Sequence, residues 1–236
     1  MNMSLPSPGL LTLQAAWLSS ARSRMLRKAE VAKRRRLLDL GCGHGAVTPE
    51  LARRGGGIVV ALDHHLPALR EMKNAVRVCA DVYHLAFISA SFDLIFSQNV
   101  LLWVNEPEQA IWEARRILTS HGVWILFEPD YGGLIEDPPE LQTRDLWLEG
   151  LRKAGAHPMI GRKLPAFLAK AKFRVQVELL PHLQLPHSAR FDFLMDLPLS
   201  EHSLKEVREM KRKSDAMDPA HQVAHLPYFM ILAEHA

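Results

Sequence analysis

The sequence predicts an α/β protein that is built on a parallel β-sheet and carries helices on both faces of that sheet. Between residues 37 and 127, short apolar segments alternate with amphipathic ones, and a glycine-rich loop follows the first apolar segment. Such alternation is typical of parallel strands joined by helices. The 236 residues are 48% hydrophobic and 23% charged, which suits a single globular domain spanning residues 1–236. This composition excludes disordered, collagen-like and coiled-coil proteins.

Five strands and three helices are predicted in the alternating part. The predicted strands are Leu37–Leu40, Ile58–Leu62, Val76–Cys79, Phe92–Phe96 and Val123–Phe127. Helices are predicted over Ala46–Arg54, near Pro67–Lys73, and in the stretch that Asn105-Glu106-Pro107-Glu108 opens and that stops before Gly122. Asn105 and Glu108 are spaced for a capping box at the start of the third helix.

The chain on either side of this part is predicted to be mainly helical. Apolar residues near helical spacing predict a helix over residues 10–30, inside an N-terminal helical cap of residues 1–36. The later elements are predicted as helices over Asp137–Ala154, Gly161–Ala171 and Leu204–Lys213 and as strands over Phe173–Leu180 and Tyr228–Ala233. We interpret residues 129–165 and 181–227 as lid insertions, because long connections inside a domain usually carry function.

Cysteine content and hydropathy predict a cytoplasmic protein. Cys42 and Cys79 are expected to stay reduced, because two cysteines do not make a disulfide framework. No apolar run approaches the roughly 18 residues of a membrane span, and the early run from Leu10 to Leu18 lacks the basic start of a signal peptide. No metal site is predicted, because the histidines and cysteines show no spacing typical of zinc ligands.

A glycine-rich loop is the first functional signal. Gly41, Gly43 and Gly45 lie between a strand and a helix, where glycine lets the backbone approach a ligand closely. Gly41, Gly43 and Ala46 also fit the dinucleotide pattern G-x-G-x-x-A, with Asp63 at a suitable distance to hold a ribose. The loop alone therefore leaves two classes of cofactor open.

Acidic and polar residues at the strand ends favour a cationic cofactor over a dinucleotide. Asp39 lies near the end of the first strand, where it would repel a pyrophosphate and attract an ammonium group such as that of S-adenosylmethionine. Asp81 follows the third strand, where a carboxylate can accept a hydrogen bond from the amino group of adenine. The fourth strand is followed by Ser97 and Gln98 and then by an apolar segment.

Four motifs occur in a fixed order, namely Leu37–Gly45, Asp63, Ala80-Asp81 and Phe92–Ile95. Together they resemble the class I S-adenosylmethionine-dependent methyltransferases, particularly the methyltransferase type 11 group. The resemblance implies a Rossmann-like seven-stranded sheet of order 3-2-1-4-5-7-6, with the last strand antiparallel and a helical lid. It also implies S-adenosylmethionine as the cofactor. Lys172 departs from the pattern, because relatives often carry a glycine at that turn.

By position, the resemblance implies a set of cofactor-binding residues along the strand ends. The residues expected to face the methionine part of the cofactor are Asp39, Gly41, Cys42, Gly43 and Gly45. Asp63, with His64 beside it, would hold the ribose, and Asp81 and Val82 would hold the adenine. Ser97 and Gln98 would line the sulfonium side. Methyl transfer mainly requires alignment and exclusion of water, so no universal catalytic motif is expected.

Candidates for substrate contact follow the fifth strand, since open α/β sheets bind ligands at that edge. Asp130 or Tyr131 can orient or deprotonate the acceptor. In the alternative, Asp130 orders a turn and Tyr131 packs beneath the lid. His182, His187 and His225, in the second lid insertion, are further candidate bases.

We therefore expect a methyltransferase that acts on a small, partly apolar molecule. Residues 22–36 carry eight basic side chains with Glu30 as the only acid. A solvated surface is the favoured interpretation of this segment, followed by Arg22 or Arg24 reaching the carboxylate of the cofactor, and then by binding of RNA phosphates. The alternative functions are an RNA methyltransferase that uses this segment, an NAD-binding oxidoreductase, and a non-catalytic partner subunit with the same fold.

Overall fold

The structure is a computed structural model, and it describes residues 5–73, 75–180, 183 and 185–235. Its central sheet consists of β1 (Arg36–Leu40), β2 (Ile58–Asp63), β3 (Val76–Cys79), β4 (Phe92–Gln98), β5 (Leu118–Pro129), β7 (Phe173–Leu179) and β9 (Tyr228–His235). The order is β3-β2-β1-β4-β5-β9-β7, and β9 is antiparallel to both of its neighbours. Counted within this sheet alone, the order is 3-2-1-4-5-7-6, which confirms the predicted fold.

Helices cover both faces of the sheet. The α-helices of the described residues are α1 (Pro8–Trp17), α2 (Ser19–Lys28), α3 (Thr48–Arg54), α4 (Leu66–Glu71), α5 (Pro107–Ile117), α6 (Arg144–Lys153), α7 (Ile160–Lys170), α8 (Arg190–Met195) and α9 (Glu201–Ala216). In the described part of the chain, none of them has the length and apolar composition that crossing a bilayer would require.

Side chains alternate between the two faces, as the period of two residues along a strand requires. Phe96 and Phe127 point to the face that α2 covers with Met25 and Leu26, and all four side chains are fully buried. Ile95 and its neighbours on β5 point to the opposite face, which α5, α6 and α7 cover. The carboxyl ends of the parallel strands are left as one edge, where ligands bind in open α/β sheets.

The N-terminal helix predicted over residues 10–30 is divided at Leu18 into α1 and α2. Its second half is an integral layer of the core, since Met25 and Leu26 are fully buried. Lys172 adopts the left-handed conformation at the turn between α7 and β7, with φ of 64°. The turn that glycine would favour is therefore kept in spite of the substitution.

A small second sheet joins the two predicted lid insertions. Its strands are β6 (Ile135–Asp137) and β8 (Val223–His225), which pair antiparallel. The helix predicted over Asp137–Ala154 is wrong at its start, because Asp137 takes part in this sheet and a short 3-10 turn, Pro139–Leu141, follows. The capping box is also wrong: Glu106 precedes α5 and no side chain caps that helix.

Candidate active site

The glycine-rich loop turns sharply at the edge formed by the carboxyl ends of β1 and β2. Gly41, Gly43 and Gly45 all have positive φ, at 69°, 54° and 80°. A Cβ atom added at Gly41 would lie 2.4 Å from Val100 Cγ2, so the side chain of any other residue would collide there. Beside Gly43, the nearest atom to an added Cβ is Leu11 Cδ1 of α1, at 3.5 Å. The first helix therefore lies over the loop.

Asp39 lies beneath this loop with only 3% of its surface exposed. Its Oδ2 accepts a hydrogen bond of 2.6 Å from Thr48 Oγ1, at the start of α3. Burial raises the pKa of Asp39 to about 6. The hydrogen bond from Thr48 lowers this pKa, whereas the nearby carboxylate of Asp63 adds to the rise. A cationic ligand would therefore find a buried carboxylate that it can stabilise in the charged form.

Asp63 ends β2 and fixes the loop to the sheet. Its two carboxylate oxygens accept from the backbone N–H groups of Gly43 and His65, each at 2.8 Å. Because each carboxylate oxygen has two lone pairs, the group can still accept from two hydroxyls. His64 follows with an exposed ring whose Nδ1 lies 3.4 Å from Asp63 Oδ1.

The other residues predicted to contact the cofactor differ in exposure. Asp81 is exposed, and its Oδ1 accepts from the backbone N–H of Tyr83 at 2.9 Å, which orders the turn after β3. Val82 is half-buried against the core. Burial raises the pKa of the Cys42 thiol, and the carboxylates of Asp39 and Asp63 add to the rise, so this thiol stays neutral.

Ser97 and Gln98 end β4 with different neighbours. Ser97 is fully buried, and its hydroxyl accepts a hydrogen bond of 2.9 Å from Trp124 Nε1. Gln98 Oε1 accepts from Arg22 Nη1 at 3.2 Å. The same Nη1 donates to the Ala15 carbonyl at 2.9 Å, so Arg22 ties α1 to the end of β4.

Arg22 is a residue of the basic segment that contacts the predicted site, through its hydrogen bond to Gln98. It is 4% exposed and pairs with Glu50 of α3 at 2.6 Å, so the solvated-surface interpretation is wrong at this position. Most of the other basic side chains also have partners within the chain. Arg24 and Lys28 pair with Glu178, Lys33 pairs with Glu30, and Arg34 and Arg35 donate to backbone carbonyls.

Glu128 is a buried carboxylate at this edge of the sheet for which we predicted no role from the sequence. It is fully buried at the end of β5, and its carboxylate accepts from the backbone N–H groups of Val100, Leu101 and Leu102, at 2.9, 2.9 and 3.2 Å. Burial raises its pKa to about 7, and these three hydrogen bonds oppose the rise. Glu128 thereby holds the short 3-10 turn that follows β4. Its signal in the sequence is a carboxylate at the end of a long apolar strand.

A separate cavity of about 130 Å³ lies between α1, the end of β5 and the two segments predicted as lid insertions. Trp17, Tyr131, Trp147, Phe193 and Tyr228 supply aromatic walls, and Arg190 also lines the space. Tyr228 lines the cavity, and burial raises the pKa of its hydroxyl, whereas the side chain of Asn99, which follows β4, opposes that rise. Asn99 itself has positive φ, 57°, a strained conformation that is often found at functional sites.

The two candidate catalytic residues have different surroundings. Asp130 is 1% exposed and forms a two-pronged ion pair with Arg162, with Oδ1 at 2.7 Å from Nη2. It does not line the cavity, and its ion pair supports the alternative in which it orders a turn. Tyr131 does line the cavity, and its ring lies 4.7 Å from that of Trp147.

The candidate histidine bases also differ in their positions relative to the cavity. His187 and His225 line the cavity, and burial lowers the pKa of His225. His187 Nδ1 accepts from the backbone N–H of Ala189 at 3.1 Å, at the start of α8. His182 lies outside the described residues.

Comparison with known proteins identifies the class of domain that contains this edge of the sheet. Residues 38–126 match the family model described as a methyltransferase domain. Residues 38–126 therefore carry a methyltransferase domain, of the kind that uses S-adenosylmethionine. The matched residues run from β1 to β5 and include the glycine-rich loop, Asp39, Asp63 and Asp81, so the methyltransferase domain contains the strand edge described above.

Two curated relatives and one solved structure illustrate the similarity. A malonyl-[acyl-carrier protein] O-methyltransferase of Methylovorus sp. (strain MP688) is 31% identical over 118 residues, which cover 43% of this chain and 40% of that protein. The mitochondrial arginine-hydroxylase NDUFAF5 of Mus musculus is 27% identical over 169 residues, covering 68% and 48%. The YcgJ protein of Bacillus subtilis superposes with a TM-score of 0.68 at 13% identity, covering 92% of this chain and 98% of that one, and shows the fold. The chain thus spans less than half the length of these curated relatives.

The residues of the methyltransferase domain fit the cofactor that such domains use. S-adenosylmethionine carries an ammonium group, a sulfonium, a ribose diol and a carboxylate. Buried carboxylates at Asp39 and Asp63, the close backbone approach at Gly41, and the buried guanidinium of Arg22 complement these groups in charge. The same carboxylates would repel a pyrophosphate.

Proposed function

We propose that the chain transfers a methyl group from S-adenosylmethionine to a small, partly apolar molecule held in the cavity. The observation that carries the proposal is the adjacency of an acidic, glycine-rich strand edge and a separate aromatic cavity. The helix α1 borders both, because Leu11 lies beside Gly43 and Trp17 lines the cavity. The cofactor and the acceptor would therefore be enclosed by the same N-terminal segment.

Each part of the site has a defined task in this proposal. When bound, S-adenosylmethionine supplies a methyl group on a positively charged sulfur, which needs no further activation. Asp39 would hold the ammonium group, Asp63 the ribose hydroxyls and Asp81 the adenine. The aromatic walls of the cavity would orient the acceptor and exclude water, which are the main requirements of a displacement reaction.

Tyr131 would orient the acceptor as a hydrogen-bond donor. Burial raises the pKa of its hydroxyl well above 10, and the charges of Tyr228 and Glu128 add to the rise. The hydroxyl therefore stays protonated near neutral pH and has no proton-accepting phenolate form there. This favours positioning over deprotonation as its contribution.

The alternatives are supported less well by the described contacts. An RNA methyltransferase would need the basic segment free to bind phosphates, whereas most of its side chains pair with carboxylates or carbonyls of the chain. A dinucleotide-binding oxidoreductase would need the acidic strand edge to accept a pyrophosphate. A non-catalytic subunit would bind the cofactor and transfer nothing.

A transfer assay with methyl-labelled S-adenosylmethionine separates these functions. The purified protein is incubated with a small-molecule extract and, in parallel, with total RNA from the same source. We expect label in the small-molecule fraction, and much less with Asp39→Asn, which removes the charge beside the ammonium group. Label confined to RNA, or no transfer in either sample, would contradict the proposal.

A further inference from the structure

Arg190 lies in the wall of the cavity, and its guanidinium forms no hydrogen bond within the described part of the chain. Nε, Nη1 and Nη2 of Arg190 are all shielded from solvent, and none of them has a hydrogen-bond partner among the described residues. No other arginine in the described part of the chain has all three nitrogens in this state. Buried polar groups are normally satisfied, and a charged one without partners is costly.

The surroundings of Arg190 compensate its charge only in part. Its Cζ lies 4.6 Å from the centre of the Phe191 ring, a contact that stabilises a cation weakly. Burial lowers the pKa of the guanidinium, and the charge of Glu136 opposes this change. An arginine nevertheless remains charged at any ordinary pH.

Glu136, the carboxylate that lines the same cavity, is already engaged. It accepts from the backbone N–H of Thr143 at 2.7 Å, from the Thr143 hydroxyl at 2.6 Å and from the backbone N–H of Arg144 at 3.0 Å. These bonds direct Glu136 to the start of α6, and it forms no ion pair with Arg190 within the described residues. The cavity therefore holds a positive charge whose donors are left for a ligand.

We propose that the molecule bound in the cavity carries an anionic oxygen group, which Arg190 binds. A guanidinium presents parallel N–H donors that match a carboxylate or a phosphate in two-pronged geometry. Trp17, Tyr131 and Trp147 would pack against the apolar remainder of the same molecule. This inference rests on the proposed function, because it identifies the substrate class of that site.

The test compares probes that share a phenyl group and differ in charge. Phenylacetate, phenyl phosphate and the neutral phenylacetamide are titrated into the protein saturated with S-adenosylhomocysteine. We expect at least one anion to bind tenfold or more tightly than the amide, and the stronger of the two anions identifies the group as carboxylate or phosphate. Equal binding of anions and amide, or binding of none, overturns the proposal.

Two variants show whether Arg190 is responsible. Arg190→Met removes the charge and keeps an unbranched, flexible side chain that is shorter than arginine. We expect this variant to lose the preference for anions, to bind S-adenosylmethionine as before and to melt no earlier than the wild type. Arg212→Met, at an exposed position paired with Glu209 on α9, is the matched control and should keep the preference. An anion preference that survives in Arg190→Met overturns the assignment. Loss of cofactor binding by the wild type would instead overturn the proposed function.

Discussion

Replacement of Glu128 by alanine should lower the free energy of unfolding by about 3–5 kcal/mol. The variant leaves three buried backbone N–H groups, those of Val100, Leu101 and Leu102, without their acceptor. An unsatisfied buried donor costs about 1–3 kcal/mol, and part of the cost is recovered when water enters or the turn shifts. Denaturant unfolding followed by circular dichroism measures the change.

Glu128→Gln is the matched control for this experiment, because the amide oxygen keeps an acceptor at the same place. We expect it to lose clearly less stability than the alanine variant. Both are compared at about pH 8, where Glu128 of the wild type is largely ionised, since burial raises its pKa to about 7. A loss below about 1 kcal/mol for Glu128→Ala would show that the turn does not depend on this carboxylate.

Asp63→Ala should weaken binding of S-adenosylmethionine by about 1–3 kcal/mol, which is roughly fivefold to 150-fold in Kd. The substitution removes the acceptor proposed for the ribose hydroxyls and also frees the backbone N–H of Gly43, so the glycine-rich loop loses its tie to β2. Isothermal titration calorimetry of the folded variant measures the effect.

Asp93→Ala is the matched control for Asp63→Ala. Asp93 also accepts from two backbone N–H groups, those of Arg35 and Arg36, at 2.8 and 3.1 Å. It lies near the start of β4, at the opposite edge of the sheet from the proposed site. We expect the Asp93→Ala variant to lose stability and to keep its affinity for S-adenosylmethionine. An equal loss of that affinity in the two variants would remove the assignment of Asp63 to the ribose.

The parallel part of the fold could be predicted from the sequence because its signals are local. An apolar strand, a glycine turn and an acidic strand end follow one another within a few residues, as at Leu37–Gly45, and the period of the pattern fixes the element type. Asp39 and Asp63 lie at one edge because parallel strands end together. The sheet order depended on the resemblance, since local pattern does not specify which strands are neighbours.

The remaining features depend on contacts between distant segments. Asp137, where a helix was predicted to start, lies instead in the strand Ile135–Asp137, which pairs with Val223–His225. Local pattern does not predict this pairing, because the two strands are far apart in the sequence. The role of Glu128 requires the turn after β4 to lie beside the end of β5. Arg190 has an unremarkable place in the sequence, and only the closure of the cavity around it separates it from the exposed arginines.

The most direct test of the charge complementarity between the acidic strand edge and a cationic ligand is calorimetric titration. S-adenosylmethionine and NAD are each titrated into the protein at about pH 5 and at about pH 7. The ammonium group of the ligand stays protonated at both values, whereas Asp39, whose pKa is about 6, gains its charge between them. We expect S-adenosylmethionine to bind about tenfold more tightly at the higher pH, this difference to vanish in Asp39→Asn, and NAD to release no heat of binding. Binding of NAD in place of S-adenosylmethionine, or an affinity for S-adenosylmethionine that falls as the pH rises, would contradict the account.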